Sequence, residues 1–325
     1  MKKVQRFVWT SVLLLAVPSV WTQQPGWQTS ARADPPVNFN AVAILRWYQA
    51  NQITSFAVGS SPYGLALDGT SMWVANGGDN TVMKLQASDG AMLGTFAVGA
   101  QPHGVAFDGA NIWVANYADN TVTKLRASDG AALGTFAVGT RPIGVAFCGI
   151  YIWVTNSGSN TVSKLQVSNG KVLGTFSVGS SPFGVAFDGS YIWVANTGSN
   201  NVSKVRPRDG KVVGTFAVGS SPVGLAFDGA DLWVTNSGSN SVTKLRVSDG
   251  HVLGTFTVGT QPYGVAFDGV NIWAANAGSN NVTVLRASDG KLLGTFTVGS
   301  NPYGVAFDGA NVWVTNSGSN SVSKR

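Results

Sequence analysis

The chain has 325 residues, of which 41 are Gly, and only 11% are charged, with a formal net charge of +6. All 15 acidic residues are Asp and there is no Glu; long surface helices and coiled coils draw on Glu and Lys, so a helical protein is excluded. A hydrophobic share of 44% excludes disorder and the Gly spacing excludes a collagen helix, which leaves an all-β chain long enough to bury a sizeable core.

The first element in chain order is an export signal over residues 1–33. Lys2, Lys3 and Arg6 form a basic start, Phe7 to Val17 a short apolar run, and Ala31-Arg32-Ala33 a small-x-small cleavage site. The apolar run is short for a membrane span. An uncleaved anchor is the alternative. Cleavage removes Lys2, Lys3, Arg6 and Arg32, so four of the 21 basic groups go and 17 remain against 15 Asp, a net charge of +2. That charge is weak support for nucleic-acid binding. We expect an exported protein, periplasmic, secreted or at the cell surface. Residues 34–53 read as a lead-in that contains one strand, Asn40 to Arg46 (NAVAILR).

From residue 54 onward the chain repeats. Trp73, Trp113, Trp153, Trp193, Trp233, Trp273 and Trp313 recur every 40 residues, and so do Gly64, Gly104, Gly144, Gly184, Gly224, Gly264 and Gly304. In the unit Thr95 to Gly134 four apolar runs of four to six residues are separated by turn residues. They are Gly104 to Phe107, Ile112 to Ala115, Thr121 to Arg126 and Leu133 to Val138. Such runs are strand-sized, and Asp108-Gly109 is a tight-turn signal between two of them. Four antiparallel strands per 40 residues is the pattern of a propeller blade, whose two faces are both buried by its neighbours. Solenoid rungs are shorter, and hairpin turns argue against them.

The segments Trp153-Val-Thr-Asn156, Trp233-Val-Thr-Asn236 and Trp313-Val-Thr-Asn316 resemble the YVTN motif of the YVTN-family β-propeller repeats, with Trp in place of Tyr. The Gly-Ser-Asn-x-Val and Val-Gly-x-x-Pro-x-Gly-Val-Ala stretches are also similar to that family's unit, over about residues 40–325. The resemblance implies that the Gly104 to Phe107 run is the innermost strand. We letter the strands A to D from the axis outward and expect a seven-bladed β-propeller of four-stranded blades over 54–325. Seven A strands occur, the last unit lacks D, and Thr54 to Val58 is a D strand without a blade of its own. It is expected to complete the last blade and remove two exposed edges. For that blade's C position two segments compete, Asn40–Arg46 and Asn320–Lys324. We expect the first, which is longer, more apolar and contiguous with the D strand.

Candidates for chemistry are few. His103 falls in a D–A connection and His251 after a C–D turn, on opposite faces of a propeller, so they cannot share a metal or a proton relay. The virginiamycin B lyases, more distantly similar propellers, use His and Glu side chains with Mg²⁺; a chain without Glu departs from that pattern. We expect no catalytic residue, no cofactor and no metal. Asp68, Asp108, Asp188, Asp228, Asp268 and Asp308 form a ladder in the A–B turns. It reads either as a Ca²⁺-holding ring or as the ordinary Asp-Gly turn preference. The Asn ladder from Asn76 to Asn316 is expected to satisfy loop backbone groups. Lys84, Lys124, Lys164, Lys204 and Lys244 read as a solvated face of the C strands. Cys148 stands where other units have Asp, as drift in a turn or as a reactive thiol.

Near-identical repeats carry the scaffold at shared positions, so a site belongs at positions where they differ. The residue between Pro and Gly runs Tyr63, His103, Ile143, Phe183, Val223, Tyr263, Tyr303, and should line the channel mouth. The candidate ligand-binding residues are Tyr63, Asp79, Gln101, His103, Tyr117, Asp119, Arg141, Tyr263 and Tyr303. This aromatic, mixed-charge set suits a small polar ligand or a protein, peptide or glycan partner; neutral drift of exposed loops is the other explanation. The expected protein is a monomeric binding scaffold without nucleic-acid partner or stable membrane span. The alternatives are a lyase or lactonase and a cell-surface structural module.

Overall fold

The computed structural model describes residues 54–325. The export signal and the Asn40–Arg46 strand lie outside them. The described chain forms seven four-stranded antiparallel sheets. Blade 1 consists of A (Pro62–Leu67), B (Ser71–Asn76), C (Thr81–Gln86) and D (Met92–Ala97), each paired with the next. Blades 2 to 6 repeat this order over 102–137, 142–177, 182–217, 222–257 and 262–297. The seven A strands touch in cyclic order, and that of blade 7 returns to that of blade 1. D–A and B–C connections therefore share one face, here called the top. No helix of the described residues is long and apolar enough to cross a membrane.

Each blade presents a B-strand Trp to the next blade. Trp73 packs with Val105, Ile112, Val114 and Leu125 of blade 2, and Phe96 of its own D strand lies 5.3 Å from its ring. The same cluster recurs around the ring. Both faces of the B strands are thereby removed from water, which is why they do not alternate between apolar and polar.

The Asp ladder holds the A–B turns and the Trp rings together. Asp188 Oδ1 accepts the N–H groups of Ser190 and Tyr191, and its Oδ2 accepts the Trp193 Nε1–H at 2.7 Å. Equivalent bonds join Asp68 to Trp73, Asp108 to Trp113, Asp228 to Trp233, Asp268 to Trp273 and Asp308 to Trp313. In blade 3 the acceptor is missing. Strand A runs on through Cys148, which pairs with Tyr151 across a two-residue turn, and the buried Trp153 Nε1–H has no partner. Burial raises the Cys148 thiol above its ordinary pKa, against the pull of nearby Lys164. Cys148 is thus a buried, protonated group whose replacement of Asp leaves an indole unsatisfied.

The Lys ladder corrects the sequence reading. Lys124, Lys164, Lys204 and Lys244 are buried, not solvated. Each ammonium reaches across the seam to a main-chain carbonyl of the next blade: Lys84 to Ala127, Lys124 to Val167, Lys164 to Pro207, Lys204 to Val247 and Lys244 to Ala287, at 2.5–2.7 Å. Trp73, Trp113, Trp193 and Trp233 lie beneath their ammoniums at 5.0–5.2 Å. A long apolar stem and a compact charge suit this place, because the stem adds to the core while the head ties two turns together. Blade 6 has Val284 instead.

The closing blade confirms one expectation and overturns another. Thr54–Ala57 does supply strand D. Strand C, however, is Ser321–Lys324, paired on one side with Val312–Asn316 and on the other with Thr54–Ala57. The expected occupant was Asn40–Arg46. The C-terminal segment wins because it is joined to strand B by the same short B–C loop as in every other blade and repeats the C-strand register against B and the Lys and Asn contacts of the other blades. Lys324 lies 5.2 Å from the Trp313 ring and donates to the Ala87 and Ser88 carbonyls. The Asn320 side chain accepts the Ser61 N–H, as Asn80 accepts that of Gln101.

Candidate functional site

The mouth of the channel is set by a break in strand A. Pairing of A with B skips from Pro62 to Leu65 and from Pro102 to Val105, so in every blade the two residues after the Pro leave the ladder. The axial Gly is obligatory there. A Cβ on Gly64 would lie 2.3 Å from the His103 carbonyl oxygen, and the corresponding approach is 2.2–2.5 Å at all seven glycines. The seven A strands therefore close to backbone contact at one level, and the side chains just before each Gly gather directly above it.

Those side chains form a continuous aromatic group. Tyr63 stacks on His103 at 4.2 Å with 9° between the rings, and Tyr303 meets Tyr63 edge-on at 4.9 Å. Tyr263 stacks on Tyr303 at 4.8 Å, and Phe183 approaches both at 6.3 Å. Tyr117, from the B–C loop of blade 2, comes to 5.2 Å of His103, and the Arg141 guanidinium to 6.0 Å of Tyr117. Two spaces result. An axial chamber of about 130 Å³ lies on the glycine ring, walled by His103, Ile143, Phe183, Val223, Tyr263 and Tyr303. A cleft of about 410 Å³ over blades 1 to 3 is lined by Tyr63, Gln101, His103 and Tyr117, with Gly77 and Gly78, and shares Ile143 and Phe183 with the chamber.

Burial decides the charge of the mouth. Desolvation lowers His103 to about 4, so the imidazole is neutral at pH 7, and its buried Nδ1 has no hydrogen-bond partner among the described residues. Desolvation, reinforced by Tyr263, Tyr63 and Tyr117, holds the Tyr303 hydroxyl well above its ordinary value. Arg141, exposed at the rim, makes no ion pair among the described residues and lies over the Tyr117 ring.

Of the nine residues singled out from sequence, Tyr63, Gln101, His103 and Tyr117 line the cleft, Tyr263 and Tyr303 the chamber, and Arg141 the rim. Asp79 and Asp119 have other work. Their carboxylates accept the Ser60 and Ala100 N–H groups at 2.7 and 2.6 Å, a bond that Ser159 Oγ makes to Thr140 in blade 3. They replace a loop-bracing hydroxyl. Ile143, Phe183 and Val223 were absent from that set; they belong to the same variable Pro-x-Gly series, but a search for polar or ionisable groups passes over them. The Asn ladder differs in detail from expectation. Asn116 accepts one backbone N–H, from Gly99, but the buried amides donate mainly to hydroxyls of the C strand, such as Thr121 and Thr123.

The Mg²⁺ implied by the lyase resemblance does not fit these residues. The top face offers one imidazole, stacked and with Nδ1 buried, and its two carboxylates are engaged by main-chain N–H groups. His251 follows a C–D turn on the opposite face, where its N–H is held by Asp249. Among the described residues no three His, Cys or Asp side chains gather as metal ligands would.

No protein-family model matches the sequence, and no curated protein matches it. Solved structures do match. A virginiamycin B lyase from Staphylococcus aureus aligns with TM-score 0.74 and 18% identity, over 84% of this chain and 98% of that one. A streptogramin B lyase aligns with TM-score 0.74 and 18% identity, covering 84% and 96% of the two chains. The hydrazine synthase of Kuenenia stuttgartiensis gives 0.72 and 19%, over 82% and 95%. With the seven closed blades described above, these likenesses make the chain a seven-bladed β-propeller of the architecture seen in virginiamycin B lyases.

Proposed function

We propose that this protein is an exported, non-catalytic propeller whose top face binds a small polar ligand, or a polar segment of a protein partner, over blades 1 to 3. The observation that carries this reading is the convergence of Tyr63, Gln101, His103 and Tyr117 on one cleft, with Arg141 at its edge. Concave sites that combine aromatic walls with a few polar groups are the usual form of ligand pockets. Tyr and Arg are also the side chains that dominate binding energies at protein interfaces. Export follows from the reading of residues 1–33 and would give the cleft an extracytoplasmic ligand.

A thermal-shift panel of glycans, peptides and metal salts tests the proposal, because a ligand that binds the native state raises its melting temperature. A compound that stabilises the wild type should lose about tenfold or more in affinity in Tyr117→Ala and Arg141→Ala. A panel without any hit, or hits indifferent to both changes, would count against the cleft. Metal-dependent turnover abolished by His103→Ala would instead favour an enzyme.

A further inference from the structure

The axial chamber differs in kind from the cleft that opens into it. Its floor is the ring of seven glycines, and its wall is Ile143, Phe183, Val223, Tyr263, Tyr303 and one edge of His103. Almost all of that surface is carbon. Its volume is about 130 Å³. Apolar cavities of about 150 Å³ stay dry and take up benzene. Water gains nothing here, because a bound water needs two to four polar partners.

We infer that the chamber is an anchor pocket for one uncharged, ring-sized hydrocarbon group, a phenyl or a branched alkyl, carried by the ligand whose polar part lies in the cleft. This inference rests on the top-face binding reading and names the chemistry of its deepest subsite. Two observations choose a neutral guest over a cation. Of the aromatic walls, His103 gives one face to Tyr63, and Tyr263 and Tyr303 give one face to each other, which reduces the ring surface open to a cation. The chamber lining contains no carboxylate to offset the desolvation of a charge. A hydrocarbon group, by contrast, gains by leaving water and by contact with the chamber wall. The sequence variation also fits. Blades 3 and 5 carry Ile143 and Val223 at positions where an aromatic residue fits the same backbone in five other blades. The smaller side chains leave the space that a Tyr or Phe would fill.

The test uses the full chain with benzene as the probe and tetramethylammonium as the cationic comparator. Benzene is expected to raise the melting temperature saturably and to give proton Overhauser contacts with the rings of Phe183, Tyr263 and Tyr303. Val223→Tyr, which installs a residue native to that position in blades 1, 6 and 7, is expected to lose benzene affinity by about tenfold or more. Ile143→Phe serves the same purpose should the first variant fail to fold. His251→Ala, on the opposite face, is expected to bind benzene like the wild type. Absence of saturable benzene binding or of the ring contacts would overturn the inference. So would undiminished binding by a folded Val223→Tyr or Ile143→Phe, or tighter binding of tetramethylammonium. Benzene has no polar groups, so its failure would count against the chamber alone. The cleft stands or falls separately on Tyr117→Ala and Arg141→Ala.

Discussion

The seams between blades and the mouth of the channel come from the same 40-residue unit, yet they are built on opposite terms. At the seams the repeats agree and the same pairs recur, carboxylate to indole N–H, ammonium to carbonyl and Asn side chain to the next blade's N–H; beside them the Oδ1 atoms of Asn76, Asn156, Asn196, Asn236, Asn276 and Asn316 are buried without a partner among the described residues. At the mouth the repeats disagree, a buried imidazole nitrogen is unpaired, and rings meet rings across space left over by the backbone. The difference teaches that closing the ring demands uniformity, whereas the axis demands only that seven side chains share a volume. Blade 3 supports this from within the seams. One departure from the repeat, Cys148, is enough to leave the Trp153 indole without an acceptor.

The comparison can be broken most severely at a seam. Trp193→Ala removes a fully buried ring between blades 4 and 5, and should cost about 3–5 kcal/mol in denaturant unfolding. A loss of under about 1 kcal/mol would mean that the seams are not where stability resides. The next effect concerns the mouth. His103 titrates near 4 when folded and near 6.5 when unfolded, so the unfolded chain takes up the proton first. Stability should therefore fall as the pH drops from about 6.5 towards 4, by up to ~3 kcal/mol, and this component should level off below 4. His103→Phe should flatten that part of the profile; an unchanged acid limb would show that His103 is not desolvated in solution.

A smaller effect sharpens the seam rule. Cys148→Asp supplies the missing acceptor for Trp153 and the turn bonds that Asp makes elsewhere, and should raise stability by about 1 kcal/mol. A destabilised variant would indicate that the two-residue turn at Gly149 and Ile150 resists conversion to the turn of the other blades. The smallest effect is expected at the rim. Tyr117→Ala and Arg141→Ala should each change stability by about 0.5 kcal/mol or less, since their contacts lie outside the seams. A large loss from either would move these residues from the binding surface to the scaffold.

Much of the architecture could be read before any coordinates. The 40-residue spacing of Trp and Gly located every blade, and the Asp-Gly and Asn-rich turns located the strand ends, because strands and hairpin turns are governed by neighbours in the chain. The missing Glu and the opposite placement of His103 and His251 were likewise legible, since they follow from composition and strand order. The Lys ladder misled because a charge on an outer strand reads as solvated. Only the seam reveals that each stem lies against a Trp and each head meets the next turn. Asp79 and Asp119 looked like ligands for the same reason: their partners, Ser60 and Ala100, lie on a neighbouring loop 19 residues away in sequence.

By itself, then, the sequence determined seven units of four strands and the positions at which they vary, while the family resemblance implied which strand lies innermost. These are local and periodic properties, repeated often enough to be unmistakable. The tertiary structure decided the rest: that Ser321–Lys324 rather than Asn40–Arg46 closes the ring, that the lysines are buried, and that an apolar chamber lies beneath a polar cleft. Each of these depends on distances between blades. Such distances are set when the A strands close to backbone contact at the glycine ring, a constraint that no single repeat contains.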